Sequence, residues 1–136
     1  MNEPHELRER ARRWLRWAEE DLRAARVLFA ADDVVPRGAC GCAQQAAEKA
    51  LKALLVDADI DPPKSHDLAR LARMSPAIVH RLDTGSLDDL SRWSIEGRYP
   101  ADLAEASLAD ARAAVALAAT LVELSATLLG NEPGQP

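Results

Sequence analysis

Apolar residues return at every third or fourth position through most of this chain. Leu7, Ala11, Trp14, Ala18, Leu22, Ala25 and Phe29 form the first stripe, widened by Leu15 and Leu28. That spacing belongs to one face of an amphipathic helix. It predicts a helix over residues 6–31, broken by Asp32, Asp33 and Pro36. Glu6–Arg10, Glu9–Arg13 and Glu19–Arg23 stand in the favourable i,i+4 order on its wet side. A second stripe, Ala39, Ala43, Ala46/Ala47, Ala50/Leu51, Leu54 and Ala58, predicts a helix over residues 36–59. Pro36 is tolerated in its first turn, and Asp61, Pro62 and Pro63 end it. Gly38 and Gly41 each cost about 1 kcal/mol of helix propensity, which points to close backbone packing at this end.

Ser65 then reads as the N-cap of a short helix over residues 66–74, with Leu68 and Leu71 inward. Another helical turn or two is expected over residues 76–83. A further helix over 86–96 places Leu87, Leu90 and Trp93/Ser94 on one side. Gly97 stops it, and Arg98, Tyr99 and Pro100 form an extended link. The last helix, over residues 101–129, is apolar almost all round from Ala111 on. Leu103, Ala106, Ala113, Leu117, Leu121, Leu124 and Leu128 supply a core face. A second face, Leu108, Ala111, Val115, Ala118 and Val122, is left over. An amphipathic surface helix has no second apolar face, so burial against another copy of the chain is the simplest remedy, and a homodimer is expected. No run alternates apolar and polar residues as a strand does. The fold class is all-α: an antiparallel bundle of four to five helices with a long C-terminal helix. Residues 1–130 make a single domain, and residues 131–136 read as a disordered tail.

Composition agrees with this reading. Apolar residues make up 48% of the 136 and aromatics only 4%, so alanine carries much of the interior and the helices must pack at close range. The net charge of −5 and a pI near 5.2 argue against a general, sequence-blind nucleic-acid binder, which is normally basic, while leaving room for a local basic site. Cys40 and Cys42 fall on different faces of the second helix, which disfavours a mutual disulfide or a shared metal. No apolar signal core follows the first residues. The longest uncharged apolar run, residues 113–122, is too short for a bilayer, which needs ~20 residues. A cytoplasmic protein with no membrane partner is expected.

The chain has no phosphate loop, nucleophile elbow or metal motif, and no cofactor is expected. Of the three histidines, His5, His66 and His80, His66 opens a helix beside a capping serine, where closing a turn is its simplest role. Gln44, Gln45, Glu48, Lys49 and Lys52 lie on the second helix, and the Glu48–Lys52 i,i+4 pair alone accounts for a solvated face. Arg8, Arg12 and Arg16 line one side of the first helix, where they can meet phosphates or simply face water. Arg98 and Tyr99 precede the last helix, whose free N-terminal amides can hold an anion. An arginine there can grip a phosphate and a phenol can stack on a base. Equally, Arg98 can cap the preceding helix with Tyr99 packed beneath it.

Four segments together resemble one family. Residues 17–25 read WAEEDLRAA, 42–55 read CAQQAAEKALKALL, 64–68 read KSHDL and 98–100 read RYP. In this order and spacing they resemble a prokaryotic HEPN domain, over about residues 12–128. The resemblance implies a bundle of four or five helices, usually dimeric. Its members are often encoded beside a minimal nucleotidyltransferase, with the HEPN protein as the toxin of a toxin–antitoxin pair. Many are metal-independent ribonucleases whose signature is an arginine, four to six residues, then a histidine, facing its copy across the dimer. Arg98 matches that arginine, but the histidine positions hold Leu103, Ala104 and Glu105. Counted from Arg92, positions 97–99 hold no histidine either. The usual near-neutral proton carrier is therefore missing, and Glu105 is the remaining candidate base.

Carried onto this chain, the resemblance assigns Arg98 to a phosphate and Tyr99 to the pocket wall, with Gln45, Glu48, Lys52 and His66 lining an RNA or nucleotide site in a dimer cleft. Two roles follow: a toxin-type RNA or nucleotide binder, or a non-catalytic substrate-binding or scaffold subunit for a partner nucleotidyltransferase.

Overall fold

The computed structural model describes residues 3–94 and 105–130. Among them are five helices and no strand: α1 Pro4–Ala30, α2 Pro36–Asp57, α3 Leu68–Met74, α4 Thr84–Ser91 and α5 Leu108–Leu129. α1 buries Leu7, Ala11, Leu15, Ala18, Leu22 and Ala25, the stripe expected from its spacing. Trp14, Leu28 and Phe29 lie half-buried at its edges. α2 is the central helix. Its Ala39, Ala43, Ala46, Ala47, Ala50 and Ala53 have no exposed surface, so neighbouring backbones approach on several sides. Gly38 instead makes room for side chains, since a Cβ there would lie 3.2 Å from the Leu28 side chain and 3.3 Å from that of Val35.

Four contacts set the directions of the helices. Arg8, near the start of α1, holds Asp57 at the end of α2, with Nε 2.7 Å from Oδ1 and Nη2 3.3 Å from Oδ2. Its Nη1 also donates to the Leu129 carbonyl at the end of α5. Further along, Lys49 of α2 pairs with Asp21 of α1 at 2.5 Å, and the Ser125 hydroxyl of α5 donates to the Ala50 carbonyl at 3.2 Å. α1 is thus antiparallel to both long partners, while α2 and α5 run side by side in one direction. The crossover that makes this possible contains α3 and α4, with Leu68, Leu71, Ile78, Leu87, Leu90 and Trp93 buried beneath it. The Ser91 hydroxyl accepts from the Leu68 N–H at 2.9 Å and ties these two helices together. Arg8 is accordingly a fastener of three helices rather than a phosphate contact.

Several boundaries differ from the sequence expectation, each for a local reason. Ser65 does not cap α3: its hydroxyl accepts from the Asp67 N–H at 3.2 Å, and Asp67 is the cap, accepting from Arg70. Residues 76–81 form turns rather than a helix. Asp83 caps α4, which begins at Thr84 and ends at Ser91, short of the expected 96. α5 starts at Leu108 rather than 101, because Ser107 and Asp110 cap each other's backbone N–H groups. Of the expected ion pairs on α1, Glu9 turns back towards His5 at 3.7 Å instead of reaching Arg13.

The buried side of α5 is rotated from the expected one. Its buried residues are Ala111, Ala114, Ala118, Leu121, Val122, Ser125 and Leu129: Ala111, Ala118 and Val122 come from the face assigned above to a second copy, Leu121 from the expected core face, and the other three from neither. Leu117, Leu124 and Leu128 are half-buried, while Ala113 and Leu108 are exposed, and Leu103 lies outside the described residues. α5 is long and apolar enough to cross a bilayer, more so than the run of residues 113–122 suggests. Its burial against α2 and α1 is that of a core helix in a bundle.

Both cysteines are free. Burial, helped by the charge of Asp110, pushes the Cys40 thiol up to about 11. Burial and Asp21 raise Cys42 as well, against the opposing charge of Lys49. Neither is a reactive thiolate at neutral pH.

Candidate functional site

Trp14 stands six residues beyond Arg8, a 240° turn of the helix, and so marks the opposite edge of the α1 stripe from the α5 contact. Here α1, α2 and the approach to α3 converge on one carboxylate. Gln44, Glu48 and Lys52 are spaced by four on α2 and share a face. Gln44 Nε2 donates to Glu48 Oε1 at 3.1 Å, and Lys52 Nζ donates to Oε2 at 3.0 Å. His66 Nδ1 lies 2.8 Å from Oε1. Gln44 also reaches the His66 carbonyl at 3.5 Å.

The path that delivers His66 is written in the end of α2. Asp59 takes a left-handed φ of 59°, which aspartate tolerates better than most residues. The Ile60 N–H then returns to the Leu55 carbonyl at 2.9 Å, a helix stop of the Schellman type. Pro62 and Pro63 carry the chain on, and the Ser65 N–H meets the Pro63 carbonyl at 2.8 Å.

Lys52 is only 8% exposed and Gln44 1%, so Lys52 depends on the carboxylate for its partner, and Gln44 on the carboxylate and the His66 carbonyl. Burial alone pushes the Glu48 carboxyl up. Hydrogen bonds from His66, Lys52 and Gln44, with the charge of Lys52, outweigh that and hold it below the ordinary glutamate range. Lys52 Nζ also stands 6.0 Å from the Trp14 ring centre. Trp14 meets Trp17 edge-on, with centres 5.3 Å apart and planes at 78°.

The structure thus brings together three of the nominated residues: Glu48, Lys52 and His66. Gln45 is half-buried beside them, but the hydrogen bonds to Glu48 come from Gln44. Gln44 was legible, being four residues before Glu48 on the same face. The two tryptophans carry no site expectation from the sequence, although their i,i+3 spacing places them on adjoining positions of one helix surface.

Arg98 and Tyr99 lie outside the described residues, and Glu105 is exposed ahead of α5. Contrary to the expectation from the sequence, the amides of the last helix do not follow Arg98 directly: α5 begins at Leu108, ten residues after it. Asp110 takes up that helix start, its carboxyl held low by the Ser107 backbone N–H and hydroxyl. A carboxylate there opposes a phosphate. Beside it, a cleft of about 200 Å³ between α4 and α5 is lined by residues including Asp89, Arg92, Trp93, Asp110 and Leu117. The Arg92 guanidinium lies 5.5 Å from the Trp93 ring centre. Among the described residues no group of three or more His, Cys, Asp or Glu side chains is placed to hold a metal ion.

A helical bundle with a polar cluster recessed on its central helix defines a class, and comparison with known proteins names it. The HEPN domain profile matches residues 11–128, and this chain belongs to that family. The crystal structure of TT1696 from Thermus thermophilus is similar to it, with a TM-score of 0.68 at 30% identity, covering 85% of this chain and 95% of that one. No curated protein matches the chain.

Proposed function

We propose that this HEPN protein is the toxin-type member of a pair with a minimal nucleotidyltransferase, a cytoplasmic homodimer that binds RNA or nucleotide in the cleft between its copies. The observation that carries the reading is the convergence of His66, Lys52 and Gln44 on Glu48, on a face that α5 leaves open. Arg98 and Tyr99 complete the site in this proposal. Cleavage by the family's arginine–histidine pair is not expected, because positions 103–105 hold Leu103, Ala104 and Glu105.

A second reading, a non-catalytic substrate-binding or scaffold subunit for the nucleotidyltransferase, is favoured by one feature: Glu48 already receives three side-chain contacts within the chain. RNA-cleavage and RNA-binding assays with and without the nucleotidyltransferase, with Arg98→Ala as control, separate the two: the first reading expects RNA or nucleotide bound by the protein alone, the second only alongside the partner enzyme. Binding without cleavage is expected. Arg98→Ala weakens it by about 1–3 kcal/mol, the range for a charge-assisted contact, without lowering the melting temperature. Unchanged affinity with a large drop in melting temperature makes Arg98 a structural cap and ends its functional role.

The dimer contact in this proposal is the outer edge of α5, with exposed Leu108 and half-buried Leu117, Leu124 and Leu128. Val122, at 4% exposure, is already committed to the core of its own chain. Sedimentation at micromolar concentration is expected to give a dimer. A monomer alone, with RNA still bound, sinks the dimer-cleft part of the proposal.

A further inference from the structure

Trp17 is 42% exposed, although a helix with this apolar stripe has no need of an indole on its wet edge. It is held edge-on by Trp14, and Trp14 in turn is held by the Lys52 ammonium. The pair therefore forms a fixed aromatic shelf rather than a loose side chain. Arg10 and Arg13 stand four residues before Trp14 and Trp17, one helical turn of about 5.4 Å away. Both are exposed, and among the described residues neither makes an ion pair. On the α2 side the acids are answered: Asp21 is paired with Lys49, and Glu48 with Lys52. Glu20 is exposed three residues beyond Trp17, and Glu6 and Glu9 are exposed one turn before Arg10 and Arg13, with Glu9 turned towards His5.

From this arrangement we infer that Trp17, backed by Trp14, is the stacking platform for a nucleobase, with Arg10 and Arg13 meeting the adjoining phosphates. The inference rests on the RNA- or nucleotide-binding reading above and adds the base subsite to it, on α1. Base stacking on an exposed aromatic tolerates any sequence, and guanidinium groups one turn away supply the charge that phosphate needs. A protein partner fits this surface less well, because interface cores are depleted of charged residues, whereas Arg10, Arg13 and Lys52 flank these rings. The acidic total charge limits such a site to one or two bases held locally, not a tract of backbone.

The test titrates the full-length protein at low salt with AMP and, separately, with a labelled ten-nucleotide oligoadenylate. Wild type, Trp17→Ala, Trp17→Phe, Arg13→Gln and Arg98→Ala are compared. Trp17→Ala is expected to bind about tenfold more weakly, within the usual range for losing one stacked base. Trp17→Phe restores most of the affinity, and Arg13→Gln loses affinity and reduces the salt dependence. Saturable binding of AMP identifies a free nucleotide as sufficient, and binding of the oligomer alone identifies RNA; either supports the platform when Trp17→Ala weakens it. Equal affinity of wild type and Trp17→Ala, with Arg98→Ala impaired, overturns the platform and leaves the RNA-binding reading standing. No binding by wild type overturns both. If Trp17→Ala leaves ligand affinity intact and instead turns a dimer into a monomer, the shelf is a protein contact and the inference is wrong.

Discussion

Glu48→Ala is expected to destabilise the fold by about 3 kcal/mol, near the low end for removing one partner of a buried pair. The Lys52 and Glu48 side chains are 9% and 13% exposed, so the ammonium left behind has little water to turn to. His66 and Gln44 each lose one contact in the same step. For a chain of this length the loss is a fall in melting temperature of about 10 °C. Adding Lys52→Met should recover part of it, because the stranded charge goes with the lysine. That recovery separates a charge effect from the loss of a few buried atoms. A fall below about 2 °C for Glu48→Ala, measured by calorimetry, contradicts the account.

The same carboxylate sets a pH limb. Folding holds the Glu48 carboxyl below its ordinary value of 4.5, so the folded chain prefers it ionised more strongly than the unfolded chain does. Its contribution to stability is therefore complete above about pH 4.5. It is lost as the pH falls through that value to the lower folded one, where both states are protonated. In Glu48→Gln this part of the acid limb should flatten, while the carboxylates elsewhere keep theirs.

How far the sequence could be read depended on how much contrast each segment carried. α1 has leucines on one side and arginines and glutamates on the other, so its register and its buried set follow from spacing alone. Glu48 and Lys52 were legible as a pair for the same reason. That they form a site was not, since it depends on His66 arriving from a loop shaped by Asp59, Pro62 and Pro63. α5 has no such contrast: between Ala113 and Val122 no charge marks the solvent side. Hydrophobicity ranks its leucines as the core face. Close packing against alanine-lined α2 selects Ala111, Ala114 and Ala118 along with Leu121 and Leu129, and Leu117, Leu124 and Leu128 move to the edges. The start of α5 is readable in the capping-box spacing of Ser107 and Asp110, which sets the helix start after Glu105 and Ala106.

That rotation of α5 yields the second large effect. Ala118→Leu is expected to destabilise the fold by about 3 kcal/mol, the upper part of the range for overpacking. Ala118 has no exposed surface. It lies seven residues before Ser125, on the same side of α5. At Ser125 the hydrogen bond to the Ala50 carbonyl fixes how near the helices stand. Three added carbon atoms must push α5 away from α2, lengthening that bond. Ala116→Leu, on the exposed side of the same helix, makes the identical chemical change and should stay within about 0.5 kcal/mol. If hydrophobicity alone set the register, Ala118 would face a second copy. The loss would then grow as the protein is diluted, because a dimer contact acts through concentration. Packing within one chain predicts the same loss at every concentration. Denaturation of both variants at two protein concentrations a hundredfold apart decides it, and a concentration-dependent loss at Ala118 would mean that α5 turns its other face to α2.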